Sequence, residues 1–179
     1  NAEYDIAEAV SPKQVARALE KDRSIQAVFL VSPTYEGRIA DVAAIADIVH
    51  EKGIPLIVDE AHGAHFYFHE KFPKGALQCG ADIVINSVHK TLPAFTQTAL
   101  LHMQGPLVNR EKVRKYLGIY QTSSPSYILM SGISRCMELM EQQGQELLEQ
   151  LYCKLNKFFE INGKLRKIHV VTDSIKEYN

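Results

Sequence analysis

Three short, mostly apolar runs, each cut off by polar residues, constrain this chain more than any other feature. Residues 27–31 (AVFLV) stop at Ser32 and Pro33, residues 54–58 (IPLIV) stop at Asp59, and residues 82–86 (DIVIN) stop at Ser87. Runs that do not alternate with polar residues suit strands covered on both faces, the condition of a parallel sheet. Between the first two runs lies a helix pattern. Asp41 can cap it, Val42, Ile45, Ala46 and Val49 share one face, and Gly53 ends it. Strand, helix, strand predicts an α/β domain with a mainly parallel sheet and flanking helices. Residues 99–103 (ALLHM) read as a fourth strand, and the pattern leaves open whether a later strand is antiparallel.

Flanking segments extend this outline. Ser11, Pro12 and Gln14 form a helix start with a capping box, followed by Val15, Ala18 and Leu19 on an apolar face up to about Lys21. A loop rich in histidine and aromatic residues runs from Asp59 to Gly80. From Pro125 the text is helical, with apolar Ile128, Leu129, Ile133, Met137, Met140, Leu147, Leu148, Leu151, Leu155 and Phe158. Gly132 and Gly144 are places where this helix can bend or break, and Gly163 ends it. The expected organisation is a main α/β portion at 1–124, a long helical segment at 125–163, and the start of a further domain at 164–179, with a strand at 168–171.

Composition excludes several classes of function. A net charge of −1 gives no footprint for nucleic acid or an anionic membrane. No apolar run is long enough to span a bilayer, and no signal peptide opens the chain. Cys79, Cys136 and Cys153 are widely spaced and odd in number, which fits a reducing cytoplasm rather than a disulfide framework or a zinc knuckle. The first residue is Asn1, and the expectation is a fragment of a longer protein.

In open α/β sheets, ligands bind outside the carboxyl ends of the strands. Ser32, Thr34 and Tyr35 follow the first strand, Asp59, Glu60 and His62 the second, and Ser87, His89 and Lys90 the third. A lysine in a dry site can lose its proton and attack a carbonyl. A carboxylate on the next strand can pair with a protonated heteroaromatic nitrogen, and hydroxyls beside the lysine can bind phosphate. These are the parts that pyridoxal phosphate (PLP) requires, although other chemistry can use the same set.

Two motifs narrow the choice. Asp59-Glu60-Ala61-His62, followed by Ser87-Val88-His89-Lys90, resembles the PLP enzymes of the aspartate-aminotransferase fold, and most of all the Orn/Lys/Arg decarboxylases. SPTYEG at 32–37 and TSSPSY at 122–127 support the likeness, which covers nearly the whole chain. The resemblance implies part of that fold's large domain and decarboxylation of arginine, lysine or ornithine by a homodimer or higher homo-oligomer. In this resemblance Lys90 binds PLP as a Schiff base, and Asp59 keeps the pyridine nitrogen protonated. Ala61 packs against the ring, His62 lies beside the cofactor, and Ser87 and His89 reach the phosphate or its surroundings. Thr122 and Ser123 match a segment that approaches the phosphate of a neighbouring subunit. The family's phosphate-binding turn and ring-stacking aromatic residue are not visible, so the expected fragment is inactive alone.

Rival readings remain. Asp-Glu-Ala-His after an apolar strand also occurs in nucleotide-driven helicases, where Asp59 would organise magnesium and Glu60 would activate water. No Walker A loop is present, and such an enzyme leaves Ser87-Val88-His89-Lys90 unexplained. Another lyase or aminotransferase of the same fold, or a non-catalytic assembly module, is a further alternative. His62, His65 and His69 invite a metal reading, but no cysteine or paired carboxylate completes the set, so no metal site is expected. His65 and His69 are expected in the loop or at the surface, Met137 and Met140 in packing or at a dimer surface.

Overall fold

The computed structural model describes residues 6, 8–162, 164, 165, 167 and 170. Its elements are α1 (Pro12–Lys21), β1 (Val28–Val31), α2 (Val42–His50), β2 (Leu56–Asp59), β3 (Ile83–Ser87), α3 (Val88–Thr91), β4 (Ala99–Met103), α4 (Arg110–Tyr120) and α5 (Tyr127–Asn162). A 3-10 turn at Ala64–Phe68 lies between β2 and β3. The sheet order is β1-β2-β3-β4; the first two pairings are parallel and the last is antiparallel. This is the expected α/β architecture, and β4 is the strand that reverses.

Local chemistry explains where the early elements start. Ser11 Oγ accepts from the Gln14 amide at 3.3 Å, and the Gln14 side chain accepts from the Ser11 amide at 2.8 Å. The Gln14 amide shares its proton with the Ser11 carbonyl at 3.0 Å, and the pair together closes the first turn of α1. Asp41 Oδ1 accepts from the Ala44 amide at 3.1 Å and starts α2 in the same way. Gly53, with φ of +68°, turns the chain into β2.

Val15 and Leu19 of α1 and Ile45, Ala46 and Val49 of α2 bury against Leu30, Leu56, Val58 and Val84 of the sheet. Ala18, expected on that face, is exposed. A second cluster joins Ala64, Val88 and Leu92 to Cys136, Met140 and Leu148 of α5. Its helix passes unbroken through Gly132 and Gly144. At both glycines a neighbouring side chain occupies the space: a Cβ on Gly132 would lie 2.5 Å from the Phe95 ring, and one on Gly144 2.9 Å from the Met140 methyl.

Two expectations need correction. The run in β1 is not covered on both faces, since Phe29 is 60% and Val31 42% exposed. Helix α4 has no counterpart in the sequence reading, and none of its residues is buried. Of the segment expected at 164–179, including the strand at 168–171, all but residues 164, 165, 167 and 170 lies outside the described residues, as does Gly163. No helix among the described residues is long and apolar enough to cross a membrane.

Candidate active site

Register brings the polar strand ends to one edge. Asp59 pairs with Val31 on one side and Ile85 on the other. Paired residues share a sheet face, and Ser87 lies two residues past Ile85, so Asp59 and Ser87 point to the same side. The turn after β2 closes with the Gly63 amide donating to the Glu60 carbonyl at 3.0 Å, which carries His62 over this edge. Lys90 arrives from the other side, on α3.

The two segments meet there. Lys90 Nζ lies 3.3 Å from His62 Nε2. An ammonium only donates, so with Lys90 charged His62 accepts at Nε2 and carries its proton on Nδ1. That Nδ1 is buried and has no hydrogen-bond partner among the described residues. Tyr35, 87% exposed, sets its ring edge-on to His62 with centroids 5.8 Å apart. Asp59 is half-buried, and its Oδ1 accepts from the Ala61 amide at 3.0 Å, which fixes the carboxylate's orientation. Its Oδ2 has no hydrogen bond among the described residues. Ala61 is buried beside it.

His89 Nδ1 lies 2.9 Å from the Thr98 carbonyl. A carbonyl only accepts, so Nδ1 donates to it and Nε2 is the ring nitrogen left for other partners. The reversal of β4 makes this possible, because Thr98 is brought back beside α3; the Val88 amide also donates to the Thr98 carbonyl at 3.0 Å. Ser87 precedes α3 without a side-chain capping bond. Thr91, which the sequence reading passed over, has a buried hydroxyl directly after Lys90 with no hydrogen-bond partner among the described residues. Its position next to the lysine was the available signal.

Thr122 and Ser123 are exposed in the loop between α4 and α5. Thr122 Oγ1 accepts from the Ser124 amide at 3.1 Å, and no described hydrogen bond links either residue to Lys90 or Asp59.

The histidines of the aromatic loop diverge. His65 packs against Phe66 and Phe72, and burial pushes its pKa down to about 4. His69 lies in the loop, one of the two places expected, but its side chain is buried and Nε2 lies 3.0 Å from Glu149 Oε2. Among the described residues no group of three or more His, Cys, Asp or Glu could hold a metal ion. Glu60 is buried under the strand tips, where Tyr67, Asn86 and the Ala76 amide donate to it. In that position it does not face the edge where Lys90 and His62 meet, which removes support from a water-activating role.

The model of the Orn/Lys/Arg decarboxylase major domain matches residues 3–176. The chain belongs to the Orn/Lys/Arg decarboxylase family. Arginine decarboxylase of Bacillus subtilis (strain 168) is 31% identical over 173 residues, 97% of this chain and 35% of that protein. The uncharacterised protein YaaO of the same organism is 47% identical over 120 residues, 66% of this chain and 25% of YaaO. Among solved structures, the Francisella novicida lysine decarboxylase LdcF superposes with a TM-score of 0.67 at 20% identity, over 87% of this chain and 23% of that one. The pyridoxamine-pyruvate aminotransferase of Mesorhizobium loti gives 0.60 at 22% identity, over 78% of this chain and 39% of its own. The structural likenesses show the fold alone, that of part of the large domain of the aspartate-aminotransferase type. This member of the family spans about a third or less of the length of these two curated relatives.

Proposed function

We propose that the full-length protein carrying this chain is a PLP-dependent decarboxylase that converts a basic amino acid to its amine, a polyamine precursor. The observation that carries the reading is the 3.3 Å approach of Lys90 to His62 at the strand edge that also bears Asp59. Arginine stands first among arginine, lysine and ornithine, because relatives named arginine decarboxylases occur in Bacillus subtilis and, at 35% identity over 145 residues, in Bacillus anthracis.

The residues present fit the cofactor. A lysine, an oriented carboxylate with a spare oxygen, an unbonded serine hydroxyl and a buried, unpartnered imidazole nitrogen gather at one edge. Bound there, PLP supplies the electron sink for the carbanion left when carbon dioxide departs. Lys90 would hold it covalently. Asp59 would keep a proton on the ring nitrogen, its orientation set by the Ala61 amide. Ala61 would pack on the ring face, His62 would lie beside it and help orient substrate, and Ser87 and His89 would face the phosphate. Thr122 and Ser123, exposed and without a described hydrogen bond to Lys90 or Asp59, suit a site on a neighbouring subunit of a homodimer. The enzyme would work in the cytoplasm, and this chain alone would be inactive.

The full-length protein, purified with PLP, should display the visible absorbance band of lysine-bound cofactor and lose it on borohydride treatment. It should release carbon dioxide from one of the three amino acids. Lys90→Ala should abolish band and turnover together; full activity in that variant rejects the proposal. ATP-dependent turnover without the band would favour a nucleotide hydrolase instead.

A further inference from the structure

A buried carboxylate that the proposed chemistry leaves unused joins the tips of β2 and β3. Glu60 is 2% exposed. Its Oε1 accepts from the Ala76 amide at 2.7 Å, and its Oε2 accepts from the Tyr67 hydroxyl at 2.7 Å and Asn86 Nδ2 at 3.1 Å. The same Asn86 amide donates to the Glu60 carbonyl at 3.0 Å, and the Glu60 amide donates to the Ile85 carbonyl at 2.9 Å. One residue therefore ties the end of β2 to the end of β3 and to the loop beyond. Asp59 immediately precedes it, Ala61 and His62 follow it, and Ser87 directly follows Asn86.

All three side-chain partners donate, so the site fits a carboxylate; the NH₂ of a glutamine would face one of the donors. Burial works the other way and pushes the Glu60 carboxyl above its ordinary range. An apolar side chain would avoid that burial penalty altogether. What it would not do is hold Asn86 and the loop against the tip of β2.

The opposite ends of the same two strands carry a separate brace. Asp82 Oδ2 accepts from the Leu56 amide at 2.8 Å and lies 2.9 Å from His50 Nε2. It is buried like Glu60 but sits away from the candidate site, which makes it a matched control.

We infer that Glu60 is a positioning residue, whose carboxylate sets the spacing between the strand tips that carry Asp59 and Lys90. It acts through Asn86 and through the turn bearing His62, and it rests on the proposed PLP chemistry.

Glu60→Gln and Asp82→Asn variants of the full-length protein decide the matter. Both are titrated with pyridoxal phosphate, following the absorbance band, at a temperature where circular dichroism finds them folded. Glu60→Gln should weaken apparent affinity about tenfold or more, as expected for one buried donor left unmatched. Asp82→Asn should stay within about twofold of the parent even where its Tm falls as far. Parent-like affinity in Glu60→Gln, or an equal loss in Asp82→Asn, overturns the inference. Where Glu60→Gln does not fold, Tyr67→Phe replaces it; that variant removes one donor, keeps the ring, and should weaken affinity in the same direction, and parent-like affinity there also overturns it. Absence of the band in the parent protein instead overturns the functional proposal, and this inference with it.

Discussion

His69 Nε2 lies 3.0 Å from Glu149 Oε2, which clamps the aromatic loop to the middle of α5. The His69 Nδ1 accepts from the Lys71 amide at 3.1 Å, so the Nε2 proton is the one offered to Glu149. Lys71 adds to the clamp, with Nζ 2.6 Å from Glu149 Oε1 and 4.8 Å from the centre of the Tyr152 ring. Glu149→Ala therefore lowers Tm further than Lys71→Ala, because it strands a buried ring N–H as well as an exposed ammonium. Thermal melts at two salt concentrations check this. Salt should weaken the exposed Lys71 pair and leave the His69 contact largely intact.

His65 makes the fold sensitive to acid. Burial pushes its pKa down from an ordinary 6.5 to about 4. Between those values the unfolded chain binds the proton and the folded chain does not, so stability rises with pH across the window. The contribution is complete above about 6.5 and is lost as pH falls toward 4. His65→Phe should flatten the stability difference between pH 5 and pH 7, as followed by urea denaturation. The ring resonances of His65 should titrate near the lower value by NMR.

Gly75 has no room for a side chain. A Cβ there would lie 2.1 Å from Tyr67 Cζ, and Tyr67 is held by its hydroxyl to Glu60 at 2.7 Å. Gly75→Ala should cost about 1–3 kcal/mol, the usual range for overpacking. In a Tyr67→Ala background the same change should cost less, and a double-mutant cycle measures the difference.

Asp59→Asn separates charge from shape. The amide oxygen can still accept from the Ala61 amide, so Tm should stay near that of the parent. Turnover in the full-length protein should fall by roughly a hundredfold or more, the scale of losing a group that controls a proton. Matched folding with undiminished turnover would count against the role proposed for Asp59.

Features governed by near neighbours were readable from the sequence. Ser11, Pro12 and Gln14 announced α1 because the capping box spans a single turn. Asp59 and Ser87 marked strand ends because the apolar runs stop there, and the motifs around them gave the family. Features that depend on distant partners were hidden. The loop position of His69 is readable, but its burial is not, because that depends on Glu149, far along the chain, folding back onto it. Glu60 sits in a motif that draws attention to Asp59 and His62, while its real partners Tyr67 and Asn86 carry no signature of their own. Helix α4 is different: Val113, Tyr116, Leu117 and Tyr120 recur at helical spacing, so its stripe was legible and the sequence reading passed over it, although none of its residues is buried.

The bare side of β1 has a practical consequence. Phe29 and Val31 project from a strand that pairs with β2 alone among the described residues, so exposed apolar side chains and an edge without a described strand partner lie together along one border. Such a border is adhesive toward any extended polypeptide. Expressed by itself, this chain should collect in insoluble material, and lysine at position 29 should keep more of it in solution.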